Sequence, residues 1–194
     1  RADAVSRPTD GGPCAQDNSR AAHLGRGCTG APVYNFVEAC CSSQSVLSSS
    51  RGVAKTHSCT RTTADLDMSS RAGIALATSK LRGPGDVLWL STPCTGGCPF
   101  LRFHRKRGNP SAMAKLDAHA ALHERLWKAA TQIATEAMAR GCTVVIEWPR
   151  RCDYWTTPPV KAFLQRHRFV FAHVDGCRME LRSPVSYTHL TLPT

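Results

Sequence analysis

The chain has 194 residues, 42% of them hydrophobic, which suits one domain with a real core and leaves little room for a second. Lys and Arg total 25 against 14 Asp and Glu, a formal net charge of +11; this favours a polyanionic partner, nucleic acid first, over an acidic or neutral one, or else reflects a solvated basic surface. No run of about 18 apolar residues occurs, so no membrane-spanning helix is expected, and the ten scattered Cys lack the density of a small disulfide scaffold and read as reduced thiols of an intracellular protein.

The chain opens on Arg1 rather than Met and is expected to be a fragment. Residues 1–30, rich in Gly, Ser, Arg and Pro, read as a loose basic arm, and residues 31–185 as one α/β domain. Tyr34 to Ala39 is an apolar run with aromatic and β-branched residues, a first strand. The Ser-rich stretch from Cys40 to Arg51 reads as a turn leading to a short helix, and residues 53–61 as a weak second strand. Arg71 to Leu81 has helical character and stops at Gly83-Pro84-Gly85. Asp86-Val-Leu-Trp-Leu90 is a buried strand running into Ser91-Thr-Pro-Cys-Thr-Gly-Gly-Cys-Pro99, which is too rich in Gly and Pro for regular structure, and a basic loop over 102–107 follows. The strongest helix starts at Asn109-Pro110-Ser111, where Asn109 or Ser111 can cap it, and stops at Gly141. Leu116, Ala120, His123, Trp127, Ala130, Ala134 and Ala137 recur on one face of it. Cys142 to Ile146 reads as a strand, Pro158 to Arg166 as a short helix and Phe169 to Val174 as a further strand. Strands alternating with helices predict a Rossmann-like, mostly parallel sheet with flanking helices, truncated at its ends. Residues 86–90, 144–147 and 169–174 are expected to be parallel neighbours. Ser186 to Thr194 fits no element and reads as a non-native tail.

In an open parallel sheet, ligands sit beyond the carboxyl ends of the strands. Two predicted strands run there into Pro93-Cys94 and into Glu147-Trp148-Pro149, a thiol and a carboxylate at neighbouring strand ends. This pair, about fifty residues apart across a long helix, resembles the cytosine-5 DNA methyltransferase family. The resemblance implies that Cys94 is the thiol that attacks C6 of a flipped cytosine and that Glu147 holds the ring. It implies further that C5 takes a methyl group from S-adenosylmethionine. A thiolate needs a cationic setting, which the basic run 102–107 can supply, and Glu147 beside Trp148 and Pro149 stands where a carboxylate loses solvent.

The resemblance also implies cofactor contacts from Glu38 and Ser42, in the place of the family's first cofactor loop, and from Asp65 or Asp67. This stretch has no Gly between Pro32 and Arg51, where the family's loop is Gly-rich; Thr95 stands where Gln is usual, and Glu-Trp-Pro where Glu-Asn-Val is usual. The motifs P-C-T-G-G-C-P and I-E-W-P-R-x-C-x-Y-W also resemble a domain of retroelement-type polyproteins of unicellular algae. The expected function is methyl transfer to nucleic acid by a domain that is active or inactive. Arg102, Arg105, Lys106 and Arg107 are expected to grip nucleic acid, helped by Phe100 and Phe103. The competing expectation is a non-catalytic nucleic-acid-binding module of a mobile-element protein. A third is a zinc-stabilised domain using Cys94, Cys98, His119 and His123, although the gap of 20 residues between the Cys and His pairs is long for a finger.

Overall fold

The computed structural model describes residues 2–6, 34–41, 43, 45–48, 54, 56–63 and 65–174. Among these the strands are β1 (Ala2–Ser6), β2 (Tyr34–Ala39), β3 (His57–Thr62), β4 (Val87–Leu90), β5 (Thr143–Trp148) and β6 (Val170–His173). The α-helices are α1 (Arg71–Lys80), α2 (Leu101–Arg107), α3 (Pro110–Ala139) and α4 (Pro158–Arg166). One sheet runs in the order β3-β2-β4-β5-β1-β6. The four strands β3, β2, β4 and β5 are parallel throughout, and the whole is an α/β, Rossmann-like fold.

The two strands β2 and β5 are the most deeply buried of the parallel half and read as nearly continuous apolar runs, whereas the edge strand β3 is mostly half-exposed and polar. Val144, Ile146 and Trp148 share one face of β5 by the two-residue alternation of a strand, with Leu88 and Leu90 beside them on β4. Helix α3 covers this face with Ala130, Ile133, Ala134 and Ala137, all fully or almost fully buried. Its Trp127 ring lies 5.5 Å from that of Trp148. The ends of α3 follow the sequence closely. Asn109 Oδ1 accepts from the N–H groups of Ser111 and Ala112 at 3.0 and 3.3 Å, and Pro110 fills the first turn. At the other end Gly141, at φ 81°, takes the left-handed position, while Cys142 N–H donates to Ala137 O and Gly141 N–H to Met138 O.

Four expectations are corrected. Residues 2–6 of the supposed loose arm form β1, which pairs antiparallel with both β5 and β6. Consequently β6 is not a parallel neighbour of β5, because β1 fills the place between them. Residues 102–107 are not a loop but most of α2, a short helix that lies beside α3. Strand β5 continues to Trp148, so Glu147 lies within the strand rather than past its end. The described residues of the Ser-rich stretch 40–51 hold turns, and the rest of that stretch, residues 1 and 7–30 of the arm and the tail 186–194 lie outside the described residues.

Candidate functional site

The carboxyl ends of β4 and β5 meet in register, with Leu90 opposite Ile146, so Ser91 falls beside Glu147. A short relay joins them: Trp89 Nε1 donates to Ser91 Oγ at 2.9 Å, and Ser91 Oγ donates to Glu147 Oε2 at 3.3 Å. Trp148 turns to the other face and donates from Nε1 to the Thr92 carbonyl at 2.8 Å. The Thr92 hydroxyl is buried and has no hydrogen-bond partner among the described residues.

Cys94 opens the 3-10 turn Thr95–Gly97, and its carbonyl accepts from Gly97 N–H at 2.9 Å. It is half-buried against the core. The turn has no room for side chains at its centre. A Cβ on Gly96 would come within 2.2 Å of Tyr154 Oη, and one on Gly97 within 2.6 Å of Cys152 Sγ. The Gly-Gly pair therefore lets the backbone close onto the Cys152–Tyr154 segment, on the face that carries Trp148. Burial, helped by the neighbouring Cys94, Asp153 and Cys98, pushes the Cys152 thiol up to about 11. Burial likewise pushes the Tyr154 hydroxyl up to about 12.

Cys94 lies three residues beyond Ser91, a reach of at most about 10 Å, and neighbouring strands are about 4.8 Å apart. The two predicted catalytic residues are thus brought to one end of adjacent strands. Glu147 stands on the Ser91 face, and the turn bearing Cys94 folds toward the Trp148 face.

Two of the residues expected to meet a cofactor, Glu38 and Asp67, are engaged in holding loops. Glu38 is 3% exposed; Ser45 Oγ donates to its Oε1 at 2.6 Å, and Ser48 Oγ donates to its Oε2. Arg61 Nε donates to Ser48 Oγ at 2.5 Å, and Arg61 also donates to the carbonyls of Ser43 and Ser45, at 3.0 and 2.9 Å. Cys40, directly after β2, sits at φ 60°, a left-handed position that favours glycine. Asp67 receives the Ser69 N–H at 2.7 Å and the Ser69 hydroxyl at 2.8 Å, which together hold its carboxyl below the usual range. Asp65 is exposed, and Ser42 lies outside the described residues.

The basic quartet divides. Arg102 forms a paired ion contact with Asp153, its Nε donating to Oδ2 at 3.1 Å and its Nη2 to Oδ1. That bond, with Arg102 and Arg105 nearby as charges, holds the Asp153 carboxyl low. Arg105, Lys106 and Arg107 are exposed. So are Phe100 at 74% and Phe103 at 64%. Among the described residues no group of three or more His, Cys, Asp or Glu is placed to hold a metal ion. His123 stacks on Tyr154 with ring centroids 3.5 Å apart, and burial pushes its imidazole down to about 4.

The sequence reading missed Ser91 and Asp153. Their partners Glu147 and Arg102 lie across the fold, 56 and 51 residues away, and no local spacing announces them. Comparison with protein-family models, curated proteins and solved structures returned no match.

Proposed function

We propose that this domain binds nucleic acid through α2. One observation carries the reading: a single seven-residue helix presents two exposed Phe rings, Phe100 at its cap and Phe103, among the exposed cations Arg105, Lys106 and Arg107. Exposed aromatic rings are surfaces on which unpaired bases stack, and adjacent cations neutralise phosphates. The net charge of +11 supplies the long-range attraction.

The test is a fluorescence-anisotropy titration with a labelled oligonucleotide between 50 and 200 mM salt, about the range over which such binding weakens steeply. Joint replacement of Arg105, Lys106 and Arg107 by Ala should lower the salt slope by about 2–3. Phe103→Ala should weaken binding about tenfold with little change in that slope. Affinity that ignores salt and both variants overturns the reading.

The methyl-transfer reading needs Cys94 and Glu147 to face one cleft; they reach one end of adjacent strands, but Glu147 stands on the Ser91 face and the turn bearing Cys94 folds toward the Trp148 face, which counts against it. Its cofactor is another matter. The carboxylates of Glu38 and Asp67 are already committed to Ser45, Ser48 and Ser69, and the loop after β2 has a left-handed Cys40 where the cofactor would need close backbone approach. These residues do not fit S-adenosylmethionine. Calorimetric titration with S-adenosylmethionine separates the two readings: no heat leaves a binding module, and saturable binding restores the enzyme.

A further inference from the structure

Helices α2 and α3 are joined by Gly108 and Asn109 alone, and their facing sides enclose a cleft of about 510 Å3. Its floor is apolar, made by Leu101 from α2 and by Ala112 and Leu116 from α3. Its rim carries His104 and Arg107 on one side and Lys115 and His119 on the other, and no carboxylate lines it. The backbone amides at the start of α3 are already taken by Asn109 Oδ1, so an anion here would be held by side chains.

We propose that this cleft is a subsite for one unpaired nucleotide of a single strand. Its base would rest on the Leu101–Ala112–Leu116 floor and its phosphate between Arg107 and Lys115. The volume is in the range of ligand pockets, and an apolar floor with a few placed polar groups is their usual composition. A duplex keeps its bases stacked and paired, so it offers nothing to the floor; a single strand offers both a ring face and a phosphate. The cleft adjoins the outer surface of α2, where Phe103 and Lys106 stand exposed, so one strand can pass from the outer face into the cleft. The inference rests on the nucleic-acid reading above and adds to it the preference for single strands.

The experiment compares a single-stranded oligonucleotide with the corresponding duplex on the whole chain, using Ala112→Trp to fill the cleft and Lys115→Gln to remove one cation. Ala112→Trp should weaken single-strand binding about tenfold and leave duplex binding within about twofold. Lys115→Gln, a surface change that tests the same site if the Trp variant folds poorly, should reduce the salt slope by about 1 for the single strand only. If both variants bind single strands like the parent while the Arg105, Lys106 and Arg107 replacement abolishes binding, the cleft is not the subsite and the wider reading stands. Equal loss of single-strand and duplex binding also overturns the subsite, because it shows attraction by charge alone. A parent chain that binds neither overturns both.

Discussion

Asp86 shows how much one buried side chain can organise. It is 2% exposed, yet it receives the Asn35 N–H at 2.6 Å, the Asn35 side-chain amide at 3.2 Å and the Arg82 N–H at 2.7 Å. Burial alone would push its carboxyl up, but these hydrogen bonds and the charge of Arg82 together outweigh it and hold the carboxyl below the usual range. A depressed folded value means that the ionised form stabilises the fold above the unfolded value, about 3.9, and that this stabilisation is lost as pH falls through the folded value. Asp86→Asn should therefore cost about 1–3 kcal/mol at neutral pH and flatten the acid limb of stability, read as urea midpoints from pH 7 down to about 3. An unchanged acid limb would show that Asp86 is not the group responsible. The sequence placed Asp86 at the start of a strand but was silent on its partners, since Asn35 is 51 positions away. The same holds for Glu38: the family resemblance implied a cofactor contact, and the fold turns it inward to anchor the serines of the following loop.

At the scale of elements, legibility followed local signals. Helix α3 was readable at both ends because Asn109, Pro110 and Gly141 are cap residues whose effect depends on their own backbone geometry. Helix α4 was readable too, from Pro158 to Arg166, yet it ends differently. Phe169 N–H donates to Leu164 O and Arg168 N–H to Gln165 O, the same termination as in α3, but the left-handed position is held by Arg168 at φ 51°. A non-glycine residue there costs about 1 kcal/mol or more. Arg168→Gly should raise stability by up to about 1 kcal/mol, measured as a higher midpoint in thermal or urea unfolding. A loss would mean that the Arg168 side chain contributes more than its backbone strain costs. Helix α2 was not legible, because seven residues dominated by Arg, Lys and His carry no apolar period, and a helix so short is marginal without a partner surface. It lies beside α3, and Leu101 is the one of its residues that is partly buried.

For the whole molecule, the decisive feature is β1. A five-residue segment at the start of the chain is inserted between β5 and β6 and pairs antiparallel with both. Ala4 lies between Ile146 and Phe171 in that ladder. Proline cannot donate to a ladder and is poorly tolerated away from sheet edges. Ala4→Pro should cost about 3 kcal/mol, visible as a lower urea midpoint, whereas the same change in a loose arm would leave the midpoint where it was.

What the sequence determined by itself was the class of the fold, the span of most strands and helices, and the sheet end that Cys94 and Glu147 reach. Those follow from hydrophobic period and from cap and breaker residues, which act within a few positions of themselves. Only the tertiary structure decided that residues 2–6 enter the sheet, that Arg102 belongs to Asp153, that Glu38 faces inward and that α2 and α3 enclose a basic cleft. Each of these depends on groups far apart in the chain meeting in space. Neither strand pairing partners nor ion-pair partners leave a periodic trace, because the free energy that selects them appears only once the chain is folded.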